Sequence, residues 1–123
     1  MNPRLALFLA PLFLVASNIF MTYAWYGHLK DLKDKPIWIA VLASWGVAFF
    51  EYCLQVPGNR IGFQQAGISL QQLKVMQEVI TMLVFAGFAV VYMKDKLTMN
   101  FVYASLCLVG AAFFMFRDFK AAG

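Results

Sequence analysis

Two carboxylates, Glu51 and Glu78, are the only charges inside four long apolar stretches of this chain. Leu5 to Gly27 carries no charge, Pro36 to Asn59 carries only Glu51, Val75 to Met93 carries only Glu78, and Leu97 to Phe116 carries none. A carboxylate costs free energy in hydrocarbon, and where one is kept it is by default a candidate for ion, proton or substrate handling. Two carboxyls that converge there cannot both ionise easily, and a pair of that kind can take up and release protons near neutral pH. Glu51 is the stronger candidate because the residues just before it, Gly46 to Phe50, are wholly apolar.

Polar neighbours at helical spacing extend both positions. Ser44 at i−7 and Gln55 at i+4 share a stripe with Glu51. Around Glu78 stand Gln71 at i−7, Lys74 at i−4 and Thr81 at i+3, and the first stretch contributes Asn18, Thr22 and Trp25. Three helices would each turn one polar stripe inward, as a polar bundle interior requires. The candidates for proton or substrate binding are therefore Glu51, Glu78, Asn18, Thr22, Ser44 and Gln55. The competing reading makes the acids interfacial ion pairs, Glu51 with Arg60 and Glu78 with Lys74, or lets them snorkel to water.

Other chemistry is poorly represented. His28 is the single histidine and has no companion ligand. Cys53 and Cys107 lack any ligand spacing and read as small buried hydrophobes. No nucleophile triad, phosphate loop or zinc spacing occurs, so neither an enzyme nor a bound cofactor or metal is expected. Trp25, Trp38 and Tyr92 read as interfacial belt residues, and Trp45 as deeper, either packed, lipid-facing or lining a cavity.

The elements that must position these residues follow from length. Of 123 residues, 63% are hydrophobic and 13% charged, about half the charge of an ordinary soluble domain. About 20 residues of helix cross a ~30 Å hydrocarbon layer, and four runs reach or approach that length. The expected fold is an all-α membrane protein, four transmembrane helices in a compact bundle forming one domain over residues 1–123. The helices are placed at about 5–26, 36–56, 70–93 and 97–116. The uncharged first run continues to Gly27 and ends in Tyr23, Trp25 and Tyr26, which suits an uncleaved membrane helix better than a signal peptide. Pro57-Gly58 is expected to end the second helix. Ser69-Leu70-Gln71-Gln72 is a capping box that opens the third, with Ile68 and Leu73 at the staple positions. On these bounds Glu51 lies five residues before Val56 and Glu78 five after Leu73, each roughly 7 Å inside one membrane boundary. In the fourth helix the small residues Ala104, Ser105, Cys107, Gly110 and Ala111 suit either a dimer seam or packing within the chain.

The formal net charge is +4, but the bases stand at helix ends and read as anchors at a lipid surface, not as a nucleic-acid patch. One side holds Arg4, Arg60, Lys74, Arg117 and Lys120, the other Lys30, Lys33, Lys35, Lys94 and Lys96. Apart from the N-terminal amine this leaves no positive-inside bias. A balanced chain can insert both ways and pair as an antiparallel homodimer; the alternative is that other signals or a partner orient it.

The segments Asn18–Lys30, Ser44–Gly62 and Gln77–Thr81, above all Phe50-Glu51-Tyr52 and Val56-Pro57-Gly58-Asn59-Arg60, resemble a domain-of-unknown-function family of small bacterial proteins in the drug/metabolite transporter superfamily. The resemblance covers roughly Ser17 to Arg117. It implies four helices of the small multidrug resistance type, often paired as dimers, in a bacterial inner membrane, with transport of a small solute as the expected function. It implies no particular substrate. Two features depart from the small multidrug resistance pattern. The first helix has Asn18 and Thr22 but no acid, and Gly110 is preceded seven residues earlier by Tyr103 where that pattern has glycine. Any proton coupling therefore falls to Glu51 or Glu78. The reading from another class is an integral membrane accessory or assembly protein.

Overall fold

The computed structural model describes residues 2–119; Lys120 and the N-terminal amine, counted above among the basic groups, lie outside the described residues. Helix α1 runs Pro3–Tyr26, a short α2 His28–Asp31, α3 Ile37–Arg60, α4 Leu70–Val91 and α5 Met99–Phe116. A π-helical turn, Ile61–Gln65, extends α3. No strand occurs among the described residues. Four helical stretches, Pro3–Asp31, Ile37–Gln65, Leu70–Val91 and Met99–Phe116, are long and apolar enough to cross a membrane.

Three of the helices, α1, α3 and α4, pack around one another, and the fourth, α5, is added on the outside. Helix α1 is central and packs extensively on α3 and also on α4, while α5 lies outside on α4. None of the residues of α5 is buried. The α1–α3 seam is close because small residues meet there. Ala6 and Ala10 of α1 are fully buried; Gly58 of α3 faces that helix, and Gly62 of the π-helical turn sits between Ala10 and Leu73 of α4. A Cβ on Gly58 would stand 3.1 Å from Phe13 Cβ and from Leu14 Cδ2. Paired small-xxx-small spacings of this kind let membrane helices approach backbone to backbone.

This seam corrects the expected end of the second helix at Val56. Pro57 withholds one backbone donor, but packing of Gly58 on α1 holds the helix through it, as neighbouring helices commonly do in membranes. The long connection expected from Asn59 to Ile68 is therefore mostly helical. Its reversal is confined to the last few residues, where Gly67 adopts a left-handed φ of 77° that glycine takes without steric cost.

Helix starts follow their caps. Asn2 accepts from the Arg4 N–H at 2.9 Å with Pro3 in the first turn, which moves the start of α1 ahead of Leu5. Thr98 accepts from Phe101 N–H at 3.1 Å and sets the start of α5 after Leu97. The capping box of α4 is formed in both directions: Gln72 N–H to Ser69 Oγ at 3.1 Å and Ser69 N–H to Gln72 Oε1 at 3.0 Å. Ile68 and Leu73 enter one buried cluster with Ala6, Leu14, Ala66 and Ile80. Cys53 and Cys107 are exposed on their helices rather than buried, and Trp45 is 72% exposed rather than packed within the chain.

Candidate functional site

The polar interior forms where α1, α3 and α4 face one another. Ser17 and Asn18 lie on the stripe by which α1 packs against both neighbours, and both are buried. The Ser17 hydroxyl lies 2.6 Å from Gln55 Oε1 and 2.9 Å from the Leu14 carbonyl, two acceptors for its one proton. The Gln55 amide donates to Gln77 Oε1, and the Gln77 amide donates to Asn59 Oδ1 at 2.6 Å. A polar track thus runs Ser17–Gln55–Gln77–Asn59 across three helices. Beside it Thr81 donates to Asn18 Oδ1 at 2.7 Å, while the Asn18 amide donates to the Leu14 carbonyl at 2.7 Å. No fully buried side-chain nitrogen or oxygen is left without a partner among the described residues.

Glu51 lies one turn from Gln55 on the same stripe of α3, and Ser44 lies two turns to the other side. Glu51 is only 9% exposed. No ion pair or hydrogen bond to its carboxyl exists among the described residues, and its oxygens are not sealed from the surroundings. The expected pairing of Glu51 with Arg60 does not form. Because α3 is continuous, nine residues amount to about two and a half turns, which sets Arg60 on the opposite side, roughly 13 Å along the axis. The same continuity sets Glu51 about 13 Å along the helix from Arg60, farther than the ~7 Å expected from a helix end at Val56.

Glu78 behaves differently. Its carboxylate pairs with Lys74 Nζ at 2.7 Å, and its side chain is 43% exposed. The stripe expected through Gln71, Lys74, Glu78 and Thr81 is displaced: Gln71 is exposed, and α4 turns Leu73, Gln77 and Ile80 inward. Gln77 is one residue, roughly 100° around the helix, from Glu78. No contact joins the two glutamates among the described residues. Thr22 is buried and lines a pocket of about 180 Å³ with Thr81, Trp25 and Phe101. Ser44 lines another, of about 250 Å³, with Tyr23, His28 and Asp31.

Ser17, Asn59 and Gln77 were not among the candidates from sequence. The i, i+4 spacing of Gln77 and Thr81 was the available signal, outweighed there by the charge on Glu78.

The two ends of the molecule differ. At the end where α3 finishes and α4 begins, a groove of about 530 Å³ opens between them, lined by Val56, Asn59, Arg60, Phe63, Lys74 and Gln77 among others. The polar track ends in it at Asn59 and Gln77. At the opposite end Asp31 Oδ2 accepts from the phenols of Tyr23, at 2.6 Å, and Tyr92. Lys30 donates to the Tyr92 carbonyl at 2.7 Å and stands 4.3 Å from the centre of its ring. The hydrogen bond to the Asp31 carboxylate raises the Tyr92 phenol above its ordinary pKa. This clasp ties the α1–α2 corner to the end of α4.

Four apolar helices of membrane-crossing length, three of them around a small polar interior with one buried acid, mark a multi-pass integral membrane protein. Residues 10–116 match the family described as "Putative member of DMT superfamily (DUF486)", and the chain belongs to that family. Members of the superfamily are transporters, which fits the four spans. No curated protein and no solved structure matches the chain.

Proposed function

We propose that this protein is a small secondary transporter that moves a small solute across the bilayer, with protons exchanged at Glu51. The observation that carries the reading is Glu51 itself: buried, unpaired among the described residues, and set one turn from a polar track that leads to an open groove. A carboxyl held by an ion pair would stay ionised, whereas an unpaired, largely buried one can change protonation when substrate or conformation changes its surroundings. The clasp at Asp31 ties helix ends together on one side while the wider groove opens on the other, an asymmetry suited to alternating access. A second copy of the chain is the proposed partner, in antiparallel orientation. The unburied α5 supports it, since a Cβ on Gly110 would meet no atom within 4 Å. A bacterial inner membrane is the proposed location.

Vesicles reconstituted with the protein and loaded with a pH-sensitive dye, screened against candidate solutes, test the reading. Wild type should show solute-dependent proton flux. Glu51→Gln keeps the shape and removes the titration, so it should fold and lose that flux. Glu78→Gln should do less, because Lys74 holds Glu78 as an ion pair. Unchanged proton flux in Glu51→Gln refutes the assignment. One observation favours an accessory or assembly protein instead: the amide and hydroxyl groups of the interior satisfy one another, as a purely structural core requires. Loss of folding in Glu51→Gln would support that second reading.

A further inference from the structure

The groove between α3, the π-helical turn and α4 carries an imbalance of charge and of hydrogen-bonding groups. Arg60 and Lys74 line it, and no acid among the described residues does. Lys74 is held by Glu78, whereas Arg60 has no ion pair among the described residues. The Asn59 carbonyl is taken by Gln77 while its amide donates to nothing among the described residues, and the Gln64 amide also borders the groove. The first turn of α4, with Leu70 on the groove wall, adds the positive end of a helix. The remaining wall is apolar and open: Val56, Phe63 and Leu70 are all exposed. Its volume, about 530 Å³, is that of a site for a drug-sized molecule.

We propose that this groove binds an amphiphilic monoanion, with a carboxylate or phosphate head on the Arg60 guanidinium and an apolar body against Val56, Phe63 and Leu70. Arginine suits the head because its planar fork gives a carboxylate or phosphate two parallel hydrogen bonds. One uncompensated cation fits one negative charge, and the position at the end of the membrane helices fits a molecule that enters from the lipid surface. The same head chemistry belongs to an acidic phospholipid and to a soluble amphiphilic anion. The proposal deepens the transport reading by naming its substrate class, but it concerns binding at equilibrium. An anion that binds without being moved would leave the site standing and count against transport alone.

The test uses the full chain in phosphatidylcholine nanodiscs, titrated calorimetrically at about pH 5, where octyl phosphate is mainly a monoanion, with octyltrimethylammonium as the control of opposite charge. Saturable binding of octyl phosphate and none of the cation is expected. Arg60→Gln should weaken binding roughly tenfold or more, the loss of a charge-assisted contact, and Arg60→Lys should recover part of it. Val56→Trp, which fills the groove without touching its charge, should also weaken binding, with helix content checked by circular dichroism for each variant. Repeating the titration in nanodiscs containing phosphatidylglycerol separates the sources. A fall in apparent affinity marks the lipid as an occupant of the site, and an unchanged affinity marks a soluble anion. Absence of saturable binding, equal binding of the cation, or equal affinity in Arg60→Gln and Val56→Trp overturns the proposal.

Discussion

At the scale of single residues, the interior is organised by amides more than by charges. Gln55 is central, since it accepts from Ser17 and donates to Gln77. Removing it leaves Gln77 Oε1 without its donor, while Ser17 keeps the Leu14 carbonyl, and within a membrane protein such bonds couple by about 0.6 kcal/mol on average and ~1.7 at most. A double-mutant cycle of Gln55→Ala and Gln77→Ala, read by unfolding in mixed micelles, should return a coupling in that range. A coupling of zero would mean that the track contributes no stability. Glu51 stands apart because it belongs to no such bond among the described residues, which makes Glu51→Gln a test of titration more than of packing.

At the scale of elements, the α1–α3 seam decides where the second span ends. Backbone proximity at Gly58 holds α3 helical past Pro57 and so places Arg60 in the groove rather than beside Glu51. Gly58→Ala should push the helices apart against Phe13 Cβ, a position close to backbone that cannot easily yield, and cost about 1–3 kcal/mol. Gly110→Ala on α5 should be neutral, or stabilising by less than ~1 kcal/mol, because only helix propensity changes there. Thermal unfolding of both variants in one detergent checks the contrast. If Gly58→Ala is as harmless as Gly110→Ala, the seam is not close-packed.

At the scale of the whole molecule, charge balance and exposure bear on assembly. The described basic residues divide four against five between the two ends of the helices, Arg4, Arg60, Lys74 and Arg117 against Lys30, Lys33, Lys35, Lys94 and Lys96, so a C-terminal reporter fusion should be active from both compartments. Adding two lysines to the loop between α4 and α5 should bias the population to one orientation. A single clean orientation in the unaltered chain would remove the case for an antiparallel pair. The clasp of Tyr23, Asp31 and Tyr92 and the groove at Arg60 lie at opposite ends of the helices.

The number, order and approximate length of the spans were readable from sequence because a bilayer demands a run of apolar residues wherever a helix crosses it. The start of α4 was readable because a capping box is a local interaction among Ser69, Leu70, Gln71 and Gln72. The pairing of Glu78 with Lys74 was open to the sequence for the same reason, being one turn of a single helix. Which polar groups meet across helices was not readable. The inward face of α4 passes through Gln77 rather than Glu78, a rotation of roughly 100° that hydropathy does not resolve when both flanks are apolar. The end of α3 was also undecided locally, because Pro57-Gly58 stops a helix in isolation and continues one packed on Ala10 and Leu14. Only the tertiary structure supplied those neighbours, and with them the separation of Arg60 from Glu51.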